Sequence, residues 1–393
     1  MVVVYWKGMV IEGFKGEIES DAQTRAKYSR DASLFKVVPQ AVVFPRDKDD
    51  VKALVRFANA NAHLGITLTA RAAGTDMSGG PLTESIVVDF TRHMNAIREV
   101  GYGMAVTEPG TYYRDFAKAL AAQGFLLPSY TASKDLCAVG GMVANNSGGE
   151  KTLRYGKTDK YVRRLNVVLS DGNEYILRPL NAFELRDKMR LATFEVGVYR
   201  DMYQLVTENA VVLAAGNPRV SKNSAGYALW DIWDGQTFDL TKLFTGSQGT
   251  LGMITEIEFR TVRPKKHSRL LVMFLNDLQP LGDIVAATLV HKPESFESYD
   301  NHTLWLGLRY MFFRFAFQFI PEAWMIVRNG GLPKIVLLAE FTGDSEKEAL
   351  IKAREAMRGL MHFKCRVRIT SSAKDAEKYW AIRRESFNLL RTK

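Results

Sequence analysis

The chain has 393 residues, 47% hydrophobic and 24% charged, a balance that excludes a disordered protein and is enough for two or three domains. The net charge of +10 suits an anionic cofactor, an acidic substrate or an anionic lipid surface, whereas scattered basic residues without a recognition motif disfavour nucleic acid. Two distant cysteines exclude a disulfide framework and favour a reducing cytoplasm. The N-terminus has no cleavage pattern, so no signal peptide is expected.

The first part of the chain predicts a small β-α-β-β unit. An apolar strand at 41–44 precedes Asp47, which caps a helix with apolar residues at helical spacing. A second strand at 66–70 leads into a glycine-rich loop at 71–80, and a third strand follows at 85–89. The loop is therefore placed directly after a buried strand.

The loop has the sequence Arg-Ala-Ala-Gly-Thr-Asp-Met-Ser-Gly-Gly. Glycines and small neighbours let backbone N–H groups converge on phosphate oxygens, and Arg71 and Ser78 could add bonds to a diphosphate. The spacing matches neither a nucleotide P-loop nor the dinucleotide fingerprint. A tight turn without a ligand is the alternative interpretation.

A second series of strands and helices is then predicted, beginning with a strand at 104–108 and a helix at 112–123 that ends before a glycine. Two clusters of small residues follow, at 128–133 and 139–149. A β-hairpin is predicted around Asp171-Gly172. The irregular clusters between regular elements are candidate binding loops.

After Pro264 the sequence predicts two successive β-α-β units, which indicate a ferredoxin-like layer followed by an amphipathic helix at 373–390. The predicted strands are 270–274, 296–299, 335–341 and 365–370, with helices at 281–290 and 345–361 between them.

An aromatic segment at 303–327 admits two interpretations. Arg309, Arg314 and Pro321 lie within it and make a transmembrane helix improbable, so a buried or domain-packing helix is favoured. The alternative is a helix lying on a membrane surface, with its aromatic residues inserted. Liposome flotation that leaves the protein in the soluble fraction would contradict that alternative.

Five stretches together resemble the FAD-binding superfamily of vanillyl-alcohol oxidase and p-cresol methylhydroxylase (PCMH), in the branch of D-lactate, glycolate and D-2-hydroxyacid dehydrogenases. In chain order they are 28–34, 71–80, 108–110, 128–149 and 246–255. The resemblance covers residues 20 to 265 well and the remainder more loosely. It implies an α+β fold, with a two-subdomain PCMH-type FAD-binding domain followed by an incomplete ferredoxin-like cap domain.

The resemblance implies that FAD is bound by the loop and by the two clusters. The implied contacts are Arg71, Ala72, Ala73, Gly74, Thr75, Asp76, Met77 and Ser78 in the loop, Pro128, Thr131, Ala132 and Ser133 in the first cluster, Gly140, Gly141, Ala144, Asn145, Asn146, Ser147, Gly148 and Gly149 in the second, and Ile254. Some relatives attach the flavin covalently through a histidine in this loop, and the corresponding position in this chain is Thr75. Relatives that attach the flavin at two points also use a cysteine. Cys137 lies near the position of that cysteine, but its spacing differs by one residue. Noncovalent FAD is therefore expected.

The same resemblance implies hydride transfer from a D-2-hydroxyacid to flavin N5. Trp380-Ala-Ile-Arg383 resembles the family's Trp-x-x-Arg segment, so Arg383 is the candidate clamp for the substrate carboxylate, with Arg384 as the alternative. A surface arginine on a charged helix face is the competing interpretation. No metal site is expected, because the six histidines are scattered; they lie at 63, 93, 267, 291, 302 and 362.

Relatives continue with a histidine-containing segment that this sequence lacks, so a truncated or split protein completed by a companion polypeptide is expected.

The domains are predicted at 1–265, with subdomains at about 1–95 and 96–265, and at 266–393. Three hypotheses remain: a D-lactate-like dehydrogenase, a non-catalytic flavin-binding subunit, and an alcohol or sugar-alcohol oxidase. The expected partners are a small hydroxyacid and a quinone or cytochrome as electron acceptor. The expected location is the cytoplasm, with peripheral membrane contact through 303–327 as an option.

Overall fold

The computed structural model describes residues 4–6, 9–220, 222–315 and 331–391. The chain divides into two compact units. The first contains residues up to 149 together with 156–263, and the second contains 150–155 together with 264 onward. Residues 316–327 of the aromatic segment lie outside the described residues. No described helix is long and apolar enough to cross a bilayer.

The first unit begins with a two-stranded pair and a four-stranded sheet of order β3-β4-β6-β5, in which β4, β6 and β5 are parallel. Every residue of β4 and β6 is buried, as expected for central strands of a sheet that is covered on both faces. The strands are β1 Val4–Trp6, β2 Met9–Ile11, β3 Glu17–Glu19, β4 Ala41–Phe44, β5 Leu68–Arg71 and β6 Ile86–Asp89, with helices α1 Ala22–Tyr28 and α2 Lys48–Ala60.

A five-stranded antiparallel sheet of order β10-β9-β13-β8-β7 forms the other layer of the first unit. Its hairpin β9-β10 turns around the predicted Asp171-Gly172. The strands of this sheet are β7 Ile97–Gly101, β8 Met104–Thr107, β9 Val162–Val168, β10 Glu174–Leu177 and β13 Met253–Arg260. Strands β11 Leu180–Asn181 and β12 Thr237–Phe238 form a separate two-stranded antiparallel pair. The helices in this stretch of chain are α3 Tyr113–Ala122, α4 Val139–Ala144, α5 Thr152–Tyr155, α6 Ala182–Met189, α7 Phe194–Glu208, α8 Ala210–Gly216 and α9 Thr241–Phe244. Of these, α5 belongs to the second unit.

The second unit is an antiparallel sheet of order β15-β16-β14-β17. With helices after its first and third strands, it has the predicted ferredoxin-like arrangement. The elements are β14 His267–Leu275, α10 Leu281–Leu289, β15 Ser295–Asp300, α11 Asn301–Phe315, β16 Ile335–Gly343, α12 Glu346–Gly359, β17 Arg366–Ile369 and α13 Ala373–Arg391.

Both faces of this sheet are buried. Alternate residues of β14 pack against different helices, since side chains on a strand alternate between faces. Val272 lies in a cluster with Tyr379 and Ile382 of α13, whereas Met273 lies in a cluster with Ala353 of α12. The near-continuous apolar sequence of β14 follows from this double coverage.

The segment 150–155 is held in the second unit by a buried charge cluster. Lys151 Nζ donates to Glu294 and lies 3.4 Å from a Glu340 oxygen. Thr342 Oγ1 and the Tyr155 hydroxyl also donate to Glu294, at 2.5 Å and 3.2 Å. Burial raises the pKa of Glu294, but the Lys151 charge and these hydrogen bonds outweigh burial, so the pKa lies below its ordinary value.

Replacing Lys151 with methionine is expected to lower the free energy of unfolding by about 3 kcal/mol at neutral pH, because it leaves the buried Glu294 charge with only the Arg154 guanidinium, 4.0 Å away, as an ion-pair partner. The Glu294 side chain is only 4% exposed. Because its pKa is depressed in the folded state, the stabilisation is present above the ordinary value of 4.5 and is lost as pH falls through the folded-state pKa. Urea unfolding at pH 7 and pH 4, followed by circular dichroism, should therefore show a smaller acid effect in the variant.

Lys265→Met is the matched control, because Lys265 forms an ion pair with Asp344 on the surface of the same unit. It should cost less than about 1 kcal/mol. Equal losses in the two variants would show that the buried cluster is not what stabilises this unit.

Candidate functional site

The glycine loop begins where β5 ends, at the carboxyl edge of the parallel strands β5 and β6. Ligands of open α/β sheets bind at this edge. Gly74 has a φ of +65°, and a Cβ atom there would lie 2.3 Å from Arg71 Nη2. Only glycine allows the backbone to pass this close to the guanidinium.

Arg71 supports the loop through contacts within the protein. Its side chain is 8% exposed and donates to the carbonyl oxygens of Tyr28 at 3.3 Å and Arg30 at 2.7 Å. The guanidinium also lies 5.1 Å from the centre of the Tyr28 ring, a cation–π distance. These contacts anchor the segment around residue 30 to the start of the loop.

Asp76 organises the second half of the loop. One carboxylate oxygen accepts from Ser78 Oγ and from the backbone N–H of Gly80, both at 2.8 Å. The other accepts from Asn145 Nδ2 at 3.0 Å. The sequence predicts that the Ser78 hydroxyl binds a diphosphate, but in the structure this hydroxyl bonds to Asp76 within the same loop. Asn145, the residue at the C-terminal end of α4, is bonded to the loop through the same aspartate.

A cleft that is partly open to solvent lies within the first unit, and the space inside it, open solvent included, is about 970 Å³. We call it the cofactor cleft. Residues 73 to 76 line it, and none of their backbone N–H groups donates to another group in the described part of the chain. Asp76 is the one acidic residue among the described lining residues. Free N–H donors in a cleft with little negative charge fit an anionic group such as a diphosphate.

The structure brings most of the predicted cofactor residues to this cleft. The lining includes Arg71, Ala72, Ala73, Gly74, Thr75 and Asp76 of the loop, Thr131 and Ser133, then Gly140, Gly141, Ala144, Asn145 and Ser147, and Ile254. The remaining predicted residues are not in its lining; they are Met77, Ser78, Pro128, Ala132, Asn146, Gly148 and Gly149.

A further wall of the cleft is formed by Ser247, Gln248, Gly249 and Gly252. The motif 246–255 predicts contacts from the backbone of 249–254 and from the Ile254 side chain, so Ser247 and Gln248 are additions that only the structure supplies. The Gln248 N–H donates to Ala144 O at 2.8 Å and its φ is +57°, which joins this wall to α4. Such a long-range backbone contact leaves no signal in the local sequence. Other lining residues that were not predicted are Ala70, Gly80, Pro81, Phe90, Pro109, Cys137, Ala138 and Met142.

Cys137 also lines the cleft, as a buried free thiol. Burial raises the pKa of Cys137 despite hydrogen bonds from Thr131 and Ser133. A protonated thiol is a poor nucleophile, so this cysteine has the character of a packed structural residue.

In the second unit, Arg383 is paired with a carboxylate of the protein itself. Its Nε and Nη2 atoms lie 3.0 Å and 2.9 Å from one oxygen of Glu297, and the two side chains are 30% and 22% exposed. Arg384, the alternative clamp, lies outside the described side chains.

The ion pair helps to fix α13 across the sheet. Glu297 on the edge strand β15 and Arg368 on the opposite edge strand β17 occupy the same row of the sheet. Arg368 binds Asp375 at 2.8 Å and the Tyr379 hydroxyl at 2.7 Å. Helix α13 is thus bonded to both edge strands of the sheet, which fixes the position of Arg383 relative to the sheet.

Among the described residues, no group of three or more histidine, cysteine, aspartate or glutamate side chains is arranged to hold a metal ion. His93 instead lies 2.7 Å from a Glu17 oxygen, beside the Arg92 ion pairs to Glu17 and Glu19. This cluster links β3 to the residues that follow β6.

Comparison with known protein families gives two matches. The family described as "FAD binding domain" matches residues 39–178, and the family described as "FAD linked oxidases, C-terminal domain" matches residues 264–393. The first match contains the glycine loop and both small-residue clusters, and the second contains the ferredoxin-like unit.

Curated relatives share this similarity over most of the chain. D-2-hydroxyglutarate dehydrogenase of Pseudomonas putida is 29% identical over 348 residues, covering 87% of this chain and 34% of the relative. The Escherichia coli K12 protein of that name is 27% identical, with coverages of 90% and 34%. Glycolate oxidase subunit GlcD of Bacillus subtilis is 28% identical, with coverages of 71% and 50%. The chain thus spans between a third and a half of the length of these relatives.

Among solved structures, alkyldihydroxyacetonephosphate synthase superposes with a TM-score of 0.67 at 16% identity, covering 95% of this chain and 61% of that protein. At this identity the likeness establishes the fold alone. Together with the family matches, it confirms the predicted α+β class, with a PCMH-type domain followed by an oxidase C-terminal domain.

Proposed function

The chain belongs to the FAD-linked oxidases of the vanillyl-alcohol oxidase and PCMH type, and from that premise we propose that it oxidises a D-2-hydroxyacid to the corresponding 2-oxoacid. The observation that carries the proposal is the cofactor cleft, whose free N–H donors at 73–76 suit a diphosphate. The relatives named for D-2-hydroxyglutarate and glycolate support a hydroxyacid as the substrate class. D-lactate is the first substrate to test.

We propose that FAD is held noncovalently in this cleft. When bound, it supplies the acceptor for a hydride from the substrate. The side chains at the two candidate tether positions favour this mode: Thr75 has no ring nitrogen, and Cys137 has a raised pKa that keeps the thiol protonated. Asn145 and Ser147 line the cleft with groups that can hydrogen-bond the polar edge of a flavin.

Arg383 is our candidate for holding the substrate carboxylate. An arginine fork binds a carboxylate with two parallel hydrogen bonds, and that geometry orients the neighbouring Cα–H for removal. Helix α13 is fixed at both edges of the sheet, which would keep the guanidinium in place. The ion pair with Glu297 orients the guanidinium and reduces its net charge.

The finer assignments are also proposals. They include the domain limits 1–265 and 266–393, a companion polypeptide that completes the active site, and a quinone or cytochrome as electron acceptor. We also propose peripheral membrane contact through 303–327 and a cytoplasmic location.

The decisive experiment is an absorption spectrum of the purified chain. Oxidised-flavin bands are expected, and acid precipitation should release the colour to the supernatant because the cofactor is not covalently attached. Anaerobic addition of D-lactate, D-2-hydroxyglutarate or glycolate should then bleach the bands, with L-lactate as the control.

A colourless protein that FAD cannot reconstitute would contradict the assignment of the cleft. Colour retained in the acid pellet would contradict noncovalent binding. Bands that persist with every D-hydroxyacid would contradict autonomous hydroxyacid oxidation and would favour a flavin-binding subunit that acts with a companion chain.

A further inference from the structure

Helices α10 and α12 of the second unit expose apolar side chains on their outward side. Apart from Asp283 and Thr288, helix α10 consists of apolar residues and glycine, yet Ile284 is the one apolar residue in it that is buried. A helix that is apolar nearly all round is normally enclosed by other groups. Val290, which follows α10, is 71% exposed, and Met361, just beyond α12, is 79% exposed. An exposed apolar surface of this kind indicates a partner that covers it.

The C-terminal ends of these two helices lie side by side. A Cβ atom on Gly359, the last residue of α12, would lie 3.2 Å from His291 Nε2, so the chain after α10 contacts the end of α12. Ile284 and Leu360 belong to one buried cluster beneath these ends. The exposed residues around the two ends therefore form one surface, which we call the basic face. It consists of Leu289, Val290, Lys292, Arg354, Arg358, Met361 and Lys364.

The four cations of the basic face have no ion-pair partner among the described residues. Elsewhere in this unit cations are paired, as Lys265 is with Asp344. The helix dipole accounts for part of the excess, since Arg358 lies in the last turn of α12. It does not account for Arg354, which precedes that turn, or for Lys364, which lies beyond the helix. Most of this positive charge is therefore uncompensated within the unit.

Acidic residues are depleted around these cations. The chain has none from 284 to 293 and none from 356 to 374. Glu355 is exposed on α12, whereas Glu294 is buried and bonded to Lys151. Positive charge thus exceeds negative charge on the basic face, in keeping with the net charge of +10 for the whole chain. A partner with a negatively charged surface complements it.

The character of the side chains decides which kind of partner fits. A second copy of the chain would bring the same cations against one another, and like charges across an interface are unfavourable. An acidic protein would be expected to bind through buried aromatic anchors, but none of the three apolar residues of the basic face is aromatic. Aliphatic side chains can enter a lipid layer without a matching pocket, while lysine and arginine reach the phosphate groups.

We propose that the basic face binds the surface of an anionic bilayer. Val290 and Met361 enter the headgroup region, and Arg358 and Lys364 bind lipid phosphate groups. This inference goes beyond the proposed oxidation of a hydroxyacid, because neither the cofactor cleft nor Arg383 takes part in it. Its effect would be to hold the second unit against the membrane by its outer helices.

The basic face is separate from the membrane contact proposed through 303–327. Leu304 of α11 lies in the buried cluster that contains Val272, whereas Ile284 of α10 lies in the cluster that contains Met273. Adjacent residues of a strand point to opposite faces of the sheet, so α11 and the basic face lie on opposite sides of it. Variants on the two sides can therefore assign the contact to one of them.

The test is flotation of the purified chain with lipid vesicles. Equimolar phosphatidylglycerol and phosphatidylcholine vesicles should carry the protein upward, whereas pure phosphatidylcholine vesicles should leave it behind. A basic residue near an anionic surface contributes about fivefold in affinity, so Arg358→Gln/Lys364→Gln should bind about 25-fold more weakly. Val290→Ser/Met361→Ser should lose the part of the binding that survives added salt, because salt screens the charges but not the apolar contact.

Lys118→Gln/Lys160→Gln is the matched control, since it removes the same charge from exposed positions of the first unit; it should bind normally. Circular dichroism verifies that each variant is folded. A wild-type protein that ignores the anionic vesicles, or equal weakening in the control, would overturn the proposal.

Two further outcomes would reassign the contact. Loss of binding in Trp305→Ser but not in Arg358→Gln/Lys364→Gln would place it on α11 and reject the basic face. Retention on immobilised polyglutamate without vesicle binding would show that the face takes an acidic protein, and the lipid assignment would be wrong. Flavin content and substrate oxidation do not enter these measurements, so failure of the proposed function would leave their result unchanged.

Discussion

Replacing Gly74 with leucine is expected to give a folded protein that retains less than about a tenth of the wild-type flavin after purification. The new Cβ would lie 2.3 Å from Arg71 Nη2, and the residue would have to keep a φ of +65°. A left-handed conformation costs a non-glycine residue on the order of 1–3 kcal/mol. Arg71 cannot move aside cheaply, because it is buried and bonded to the carbonyls of Tyr28 and Arg30. The loop must therefore shift, and its N–H donors with it.

The measurement is the ratio of flavin to protein absorbance, with circular dichroism to verify folding. Gly65→Leu is a matched control, because Gly65 has a φ of +71° and open space where its Cβ would lie. The control carries the backbone strain without the clash, so it should keep its flavin. Full flavin occupancy in Gly74→Leu would show that this loop does not hold the cofactor.

Replacing Arg383 with methionine is expected to lower kcat/KM for the D-2-hydroxyacid about 100- to 1,000-fold without changing flavin content. A charge-assisted hydrogen bond contributes about 1.5–3 kcal/mol, and each 1.36 kcal/mol corresponds to a tenfold change in rate. Two such bonds in a bidentate pair, partly offset by the competing Glu297, account for that range. Stopped-flow measurement of flavin reduction over a range of acid concentrations determines the loss.

Two comparisons make this result specific. Lys374→Met changes an exposed cation at the start of the same helix and should leave flavin reduction unchanged. The rate with a neutral diol such as 1,2-propanediol should be equally low in wild type and Arg383→Met, since it has no carboxylate to bind. A normal rate with the acid in Arg383→Met would reject this arginine as the clamp and direct attention to Arg384. Equal loss with acid and diol would favour an alcohol oxidase.

Local sequence was sufficient to predict many of the regular elements, among them β4, α2 and the β9-β10 hairpin, although helix α4 lies in the cluster 139–149, for which the sequence predicts irregular structure. The glycine loop follows β5 as expected, because an apolar strand ended by small residues can only turn there. The ferredoxin-like unit was also predictable, since its strands and helices have clear apolar periodicities and alternate in the order that the motif requires. These features depend on residues within a few positions of one another.

The partners of the polar groups were decided only by the tertiary structure. Arg71 bonds to carbonyls more than 40 residues away, and Arg383 pairs with Glu297 across 86 positions. The segment 150–155 belongs to the second unit although residues on both sides of it belong to the first. An arginine donates to whichever oxygen the packing of distant elements brings within hydrogen-bond distance, and the local sequence does not specify that oxygen. The sequence by itself therefore predicted the fold class and more than half of the residues that line the cleft, while the tertiary structure alone decided which polar groups are left to meet a ligand.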